Sequence, residues 1–228
     1  MYKYETHLHT WPVSACAHGD VAENLAFYKK LGYDGVFITN HFLDGNINID
    51  HREPYADRIN FYFSDYEKAL ELGKELQIKV FCGAELSYLG TDFLIYGLDK
   101  AWFLAHPEIM DMEKTDELRL MMDSGALVIQ AHPYREAAYI NHIRLFPRHV
   151  HGVETVNACR RDTENEMARL YGAHYGLLPF AGSDNHVAGK LETLAGMGSQ
   201  TPVCDELDFI QKVKTGQMEI FTLTNCDR

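Results

Sequence analysis

Six short apolar runs in this chain finish on, or carry near their ends, a residue type that binds metal ions. ETHLHT closes the first on His7 and His9, and VFITNH closes the second on His41. KVFCGAE ends at Glu85, ALVIQAHP at His132, HGVETVN carries Glu154, and LLPFAGSDNH finishes with Asp184 and His186. Apolar runs of roughly four to eight residues read as buried strands. Ligand residues placed by chance would scatter along such strands; here they gather at the carboxyl ends. A β/α barrel brings the carboxyl ends of its strands to one face, where several strands together build a site. Side chains two apart share a strand face, so His7 and His9 point the same way and Leu8 points outward to the surrounding helices.

Between the runs lie amphipathic stretches. Helices are expected over 21–31, over SDYEKALELGKELQ with Ser64 as cap and Glu67 three residues later, over TDELRLMMD before Gly125, over 163–175, and over DELDFIQKVK. DFLIYG and MEIFTL read as further strands. Strand–helix alternation from end to end predicts a parallel sheet with crossover helices. The expectation is an α/β fold closed into a TIM-barrel-like β/α barrel, with residues 1–228 as one domain. Segments 44–60 and 137–148 read as loop excursions and as the places where substrate selection would reside.

Composition narrows the function. The net charge of −12 leaves no basic stripe for nucleic-acid phosphates. No apolar run is long enough for a bilayer, and the first residues have no signal-peptide core. Cys16, Cys82, Cys159, Cys204 and Cys226 are odd in number and form no CxxC pair, as expected for a reduced, cytoplasmic protein. The outlier is histidine, with 12 residues. His7, His9, His41, Glu85, His132, Asp184 and His186 exceed what one tetrahedral ion takes. Bridging carboxylates, Glu85 and Asp184, would let the set hold two or three divalent metals, with zinc, manganese or iron suited to such donors. Such centres clamp phosphoryl oxygens and generate a hydroxide nucleophile at neutral pH. His51, His106, His142, His149, His151 and His174 fall in no motif and read as structural or surface groups.

HLHT, ITNH, GAE, AHPYR and GSDNH, in this order over nearly the whole chain, resemble the PHP (polymerase and histidinol phosphatase) superfamily. The resemblance implies a distorted seven-stranded barrel, a di- or trinuclear metal centre and hydrolysis of a small phosphomonoester. It implies that His7, His9, Glu85 and Asp184 hold one ion, that His41 and His186 contribute to a second, and that Glu85 and His132 serve a third. Two departures stand out. The loop WPVSACAHGD is longer than the family's, leaving His18 or Asp20 as its ligand, with His18 preferred. No histidine follows the glutamate motif, so Asp92 is the candidate to complete the third site. Arg135 and Arg160 (with Arg161 beside it) are candidate phosphate contacts, since a guanidinium fork fits phosphate oxygens. Glu154 reads as a support behind the ligands. No nucleophile pattern surrounds Cys16 or Cys82. Two other functions compete: amidohydrolase-type C–N hydrolysis, which commonly uses a bridging lysine where this chain has Glu85, and a non-catalytic regulatory barrel that binds metal or nucleotide.

Overall fold

The apolar runs form strands around a common interior, and the amphipathic stretches pack outside them. A computed structural model describes residues 1–225; Cys226 lies outside the described residues. The elements in chain order are β1 (Tyr2–Leu8), α1 (Val21–Lys30), β2 (Gly35–Ile38), α2 (Tyr55–Leu76), β3 (Lys79–Tyr88) and β4 (Thr91–Tyr96). Then come α3 (Lys100–Ala105), α4 (Lys114–Asp123), β5 (Leu127–Ala131), β6 (Gly152–Asn157), α5 (Asp162–Tyr175), β7 (Leu178–Gly182), β8 (Thr193–Ser199), α6 (Glu206–Lys214) and β9 (Met218–Thr224). One sheet runs β7-β6-β5-β4-β3-β2-β1-β8-β9. The end of β7 returns to β1: Leu8 bridges to Asn185, the His9 amide donates to the Asn185 carbonyl at 2.9 Å, and Thr6 Oγ1 donates to the Ala181 carbonyl. Strands β1–β7 thus form a nearly closed barrel of the expected kind, with β8 and β9 as an extension. No helix among the described residues is long and apolar enough to cross a membrane.

The sheet is not wholly parallel. β4 runs antiparallel to both β3 and β5. The cause is a two-residue turn at Leu89-Gly90, both at positive φ (50° and 89°), which can join only antiparallel strands. β8, with the sequence TLAGMGS, is a strand the hydropathy pattern does not signal; it pairs antiparallel with β1 and β9. Gly196 allows this, because a Cβ there would sit 2.3 Å from the Tyr4 carbonyl. α2 begins nine residues before the expected Ser64 cap. Ser64 lies inside the helix with its hydroxyl donating to the Phe61 carbonyl at 2.7 Å, while Ile59, Tyr62 and Phe63 extend the buried face backward. Residues 137–148 form the expected excursion, without helix or strand.

The barrel interior is aromatic: Tyr4, Phe37, Phe81, Tyr96 and Phe180 converge from five strands, with Phe209 of α6 against them. Leu8, by contrast, packs outside with Val21, Leu25 and Tyr28 of α1. Tyr4 and Leu8 would share a face in a regular strand. They do not, because the β1–β2 register shifts between Glu5 and Leu8. The fully buried Glu5 fills that bulge, its Oε1 accepting from the amides of Thr6, His7 and Ser183, each at 2.9 Å. The shift turns His7 and His9 inward above the aromatic layer. Glu5→Ala would strand three buried amides, at about 1–3 kcal/mol each. Its urea midpoint should fall by the equivalent of about 3 kcal/mol or more. Glu5→Gln, which keeps an acceptor oxygen, should lose clearly less; equal losses would remove the amide-bridging role.

Candidate metal centre

β1 delivers His7 and His9, the end of β2 leads to His41, and β3 carries Glu85 at the point where its pairing passes from β2 to β4. His132 follows β5, and Asp184 and His186 follow β7. All seven converge. Glu85 is the hub: Oε1 lies 3.1 Å from His7 Nε2 and 3.2 Å from His132 Nε2. Its Oε2 lies 2.8 Å from His41 Nδ1 and 3.3 Å from His9 Nε2. Asp184 faces it, with Oδ1 at 3.5 Å from His9 Nε2, 3.6 Å from His7 Nε2 and 3.5 Å from His186 Nδ1. Asp184 Oδ2 lies 3.8 Å from His132 Nε2. Three overlapping groups result: His9, His41 and His186; His7, Glu85 and His132; His7, His9 and Asp184, with ligand atoms in each within 4.8 Å of one another.

Neighbouring groups orient these ligands. His7 Nδ1 donates to Glu154 Oε1 at 3.0 Å, and Glu154 Oε2 accepts from the His132 amide at 3.0 Å. Glu154 is the support behind the ligands that its strand-end position suggested. His9 Nδ1 pairs with Ser14 Oγ at 3.1 Å, and the same hydroxyl accepts from the His41 amide at 3.0 Å. Both Nε2 atoms of the HxH pair therefore face the cluster. Gly182 leaves room for His7, since a Cβ there would meet the His7 Cβ at 2.5 Å. His132 and Asp184 sit at positive φ (24° and 54°), a region that costs a non-glycine residue about 1–3 kcal/mol and persists where its surroundings enforce it.

The centre is largely buried and densely charged. His7, His9, Glu85, His132 and Asp184 are all buried. Burial disfavours the His7 cation, yet Asp184, Glu154 and Glu85 outweigh it and hold its pKa well above the ordinary value. Burial and the neighbouring His186 and His41 push His9 the opposite way, keeping it neutral with a free lone pair. Burial also opposes the Glu85 anion, but His7, His41 and His9 hold its pKa well below the usual range. Five buried atoms, His7 Nε2, His9 Nε2, His41 Nδ1, His132 Nδ1 and Glu85 Oε2, have no aligned hydrogen-bond partner. Buried polar atoms are normally satisfied, so such a concentration fits groups built to hold cations.

The remaining candidates divide. His18 is exposed and contributes to no cluster; its amide donates to the His186 carbonyl at 2.8 Å. Asp20 caps α1, accepting from the Glu23 amide at 2.9 Å. The loop instead brings Cys16 to the centre, where burial pushes its thiol up but hydrogen bonds with His186 and His41 bring it down to about 6. Asp92 is buried 3.9 Å from His132 Nε2, and its Oδ2 accepts from Arg135 Nη1 at 3.0 Å. Arg135, thus neutralised, also lies over the Tyr139 ring. Arg160 has a buried Nε without a partner. Both arginines line the same cavity of about 770 Å³ as His41, Glu85, His132, Asp184 and His186. His106, stacked on Trp102, and His151, accepting from the Val128 amide, lie elsewhere. Ser14 and Glu5, the two supports not foreseen, give no sequence signal, because their partners are set by loop path and by residues far along the chain.

No known protein family's sequence profile matches this chain, and no curated protein matches it by sequence. Solved structures do. A two-domain protein from Bacteroides vulgatus, described as containing a predicted PHP-like metal-dependent phosphoesterase, superposes with a TM-score of 0.69 at 14% identity. The match covers 96% of this chain and 64% of that one, so this chain spans less than two thirds of that protein's length. A candidate metal-dependent phosphoesterase from Bifidobacterium adolescentis gives 0.55 at 15% identity, over 83% of this chain and 89% of the other. An amidohydrolase from Chromobacterium violaceum gives 0.53 at 12% identity, over 99% of both chains. This chain therefore shares its barrel fold with proteins described as metal-dependent phosphoesterases and with an amidohydrolase.

If Glu154 orients His7, Glu154→Gln should weaken metal binding roughly 10–100-fold, as loss of a ligand's carboxylate partner does elsewhere. Competition against a chromophoric chelator measures it; unchanged affinity would dismiss the orienting role.

Proposed function

We propose that the protein hydrolyses a small phosphomonoester at a centre of divalent metal ions held by His7, His9, His41, Glu85, His132, Asp184 and His186. The observation that carries this reading is the set of buried, unpartnered imidazole and carboxylate atoms, of which His41, Glu85 and His132 line a cavity together with arginines. An imidazole nitrogen has one lone pair, and the Nδ1 atoms of His7 and His9 are already engaged. Each of these histidines therefore serves one ion, which favours two ions over three. His7 and His132 would serve one with Glu85 Oε1; His9, His41 and His186 would serve the other. Glu85 and Asp184, reaching both sides, are the bridges. Asp92 is then a partner of Arg135 at the edge of the site.

When bound, the ions supply Lewis acidity and make water acidic enough to act as a nucleophile near neutral pH. The chain's own residues position the phosphate. Arg160 is the better phosphate contact, because Arg135 spends its charge on Asp92 whereas Arg160 Nε is free to donate. The buried walls of the centre exclude bulk water, which strengthens the pull of these cations on phosphate oxygens. The partner is a small phosphorylated molecule and not a nucleic acid, in keeping with the net charge of −12. A cytoplasmic setting accords with Cys16, Cys82, Cys159 and Cys204 being free thiols.

A second reading, metal-dependent C–N hydrolysis, is favoured by the full-length likeness to the Chromobacterium amidohydrolase. Elemental analysis with parallel phosphate-ester and amide panels separates the two. The expected outcome is at least about two metal equivalents and chelator-sensitive phosphate release. His9→Ala should lose metal and cut that release roughly a hundredfold or more, since removing mere supports already costs 10–100-fold. Metal-dependent amide cleavage without phosphate release would move the assignment to the second reading, and no hydrolysis by the metal-loaded protein would overturn both.

A further inference from the structure

The loop joining β1 to α1 contains a donor that its sequence context does not advertise. Cys16 is half-buried and lines the cavity together with His41 and His186, on a loop hydrogen-bonded to both of those segments. Those two residues and His9 form the all-histidine group of the centre. His9 is fully buried, and its Nε2 has no aligned hydrogen-bond partner, although Glu85 Oε2 lies 3.3 Å away. Three imidazoles thus converge, and the thiol lines the cavity onto which two of them, His41 and His186, open.

The loop is tied down on both sides of the cysteine. The Ala15 amide donates to the Asn46 carbonyl at 2.9 Å, and the Ala17 amide to the Ser14 carbonyl at 3.1 Å. The His18 amide donates to the His186 carbonyl at 2.8 Å, joining the loop to the segment that carries the ligand. Ser14, two residues before the cysteine, holds both the His9 ring and the His41 amide. Hydrogen bonds therefore join the loop backbone on both sides of the cysteine to the segments that carry His9, His41 and His186.

We propose that Cys16, as its thiolate, is a further ligand of the ion at His9, His41 and His186, adding one sulfur to three imidazole nitrogens and the shared carboxylates. The inference rests on the metal-centre reading above. Ligation forms a metal–sulfur bond and releases the thiol proton to solvent; no electrons are transferred. Neutral imidazoles offset none of the dication charge, and the thiolate lowers it by one beyond what the shared carboxylates supply. An imidazole-rich set with one sulfur suits zinc, whereas His7 and His132 with two carboxylates form a harder, oxygen-richer set. The two positions differ in softness, so the thiolate position is the one selective for zinc over magnesium or manganese.

Cobalt(II) loaded into metal-stripped, full-length protein tests this, with sulfur ligation read from the absorption spectrum. The expected result is a thiolate-to-cobalt charge-transfer band that is lost in Cys16→Ser and kept in Cys159→Ser, the other cysteine lining the cavity. X-ray absorption of the zinc form should show one sulfur at about 2.3 Å. Zinc should also slow alkylation of Cys16 in the unmutated protein roughly tenfold or more, because a thiolate engaged by a metal is withdrawn from reaction, and peptide mapping reads this without any substitution. Bound cobalt with no sulfur band, or a band that survives Cys16→Ser, overturns the thiolate assignment and leaves the metal centre standing. Failure to bind cobalt at all overturns both.

Discussion

One carboxylate oxygen inside the first strand sets the geometry of the centre. Glu5 Oε1 gathers three backbone amides, two from its own strand and one from the segment after β7. In doing so it stabilises a bulge that changes the strand's parity between Tyr4 and His7. Below the bulge β1 contributes Tyr4 to the aromatic interior; above it, His7 and His9 face inward and Leu8 faces α1. A regular strand could not do both, because side chains alternate strictly. The Ser183 amide in the same interaction pins β1 beside the residue that precedes Asp184. Strand phase and barrel closure are therefore coupled through one buried group.

The centre built on that frame concentrates opposing charges where water is excluded. Glu85 spans the gap between His7 and His132 on one side and His9 and His41 on the other, and Asp184 spans it from the opposite wall. Such a cluster is costly unless cations complete it, since buried charges require compensation. The left-handed backbone at His132 and Asp184 follows the same logic, because the ligands sit where the hydrogen bonds of Glu154 and the return of β7 to β1 hold them. Stability and site geometry draw on the same residues here.

The strand-end motifs were legible because each joins a short apolar run to a ligand residue, and a barrel brings those ends together. HLHT, ITNH, GAE, AHPYR and GSDNH accordingly meet in one place. The loop WPVSACAHGD was not legible in the same way. Residue type offers His18 or Asp20 as its ligand, whereas the loop's path decides what reaches the centre. Amide contacts to Asn46 and His186 leave His18 exposed, Asp20 is consumed in capping α1, and Cys16 is left against the imidazoles. The same holds for the arginines. Both follow strand ends, yet only the folded chain ties Arg135 to Asp92, on a strand that runs against its neighbours.

By itself, the sequence determined the barrel class, the seven residues that converge in the centre and the outward face of Leu8, because hydropathy period and residue type are local properties. The tertiary structure alone decided the reversed β4, the glycine-rich β8, the bulge at Glu5 and the oxygen-by-oxygen sharing of Glu85. Those features depend on contacts between residues far apart in the chain, Glu5 with Ser183 and Tyr4 with Gly196 among them. No local pattern encodes such pairings, and they exist only once closure of the barrel has brought the two ends of the chain together.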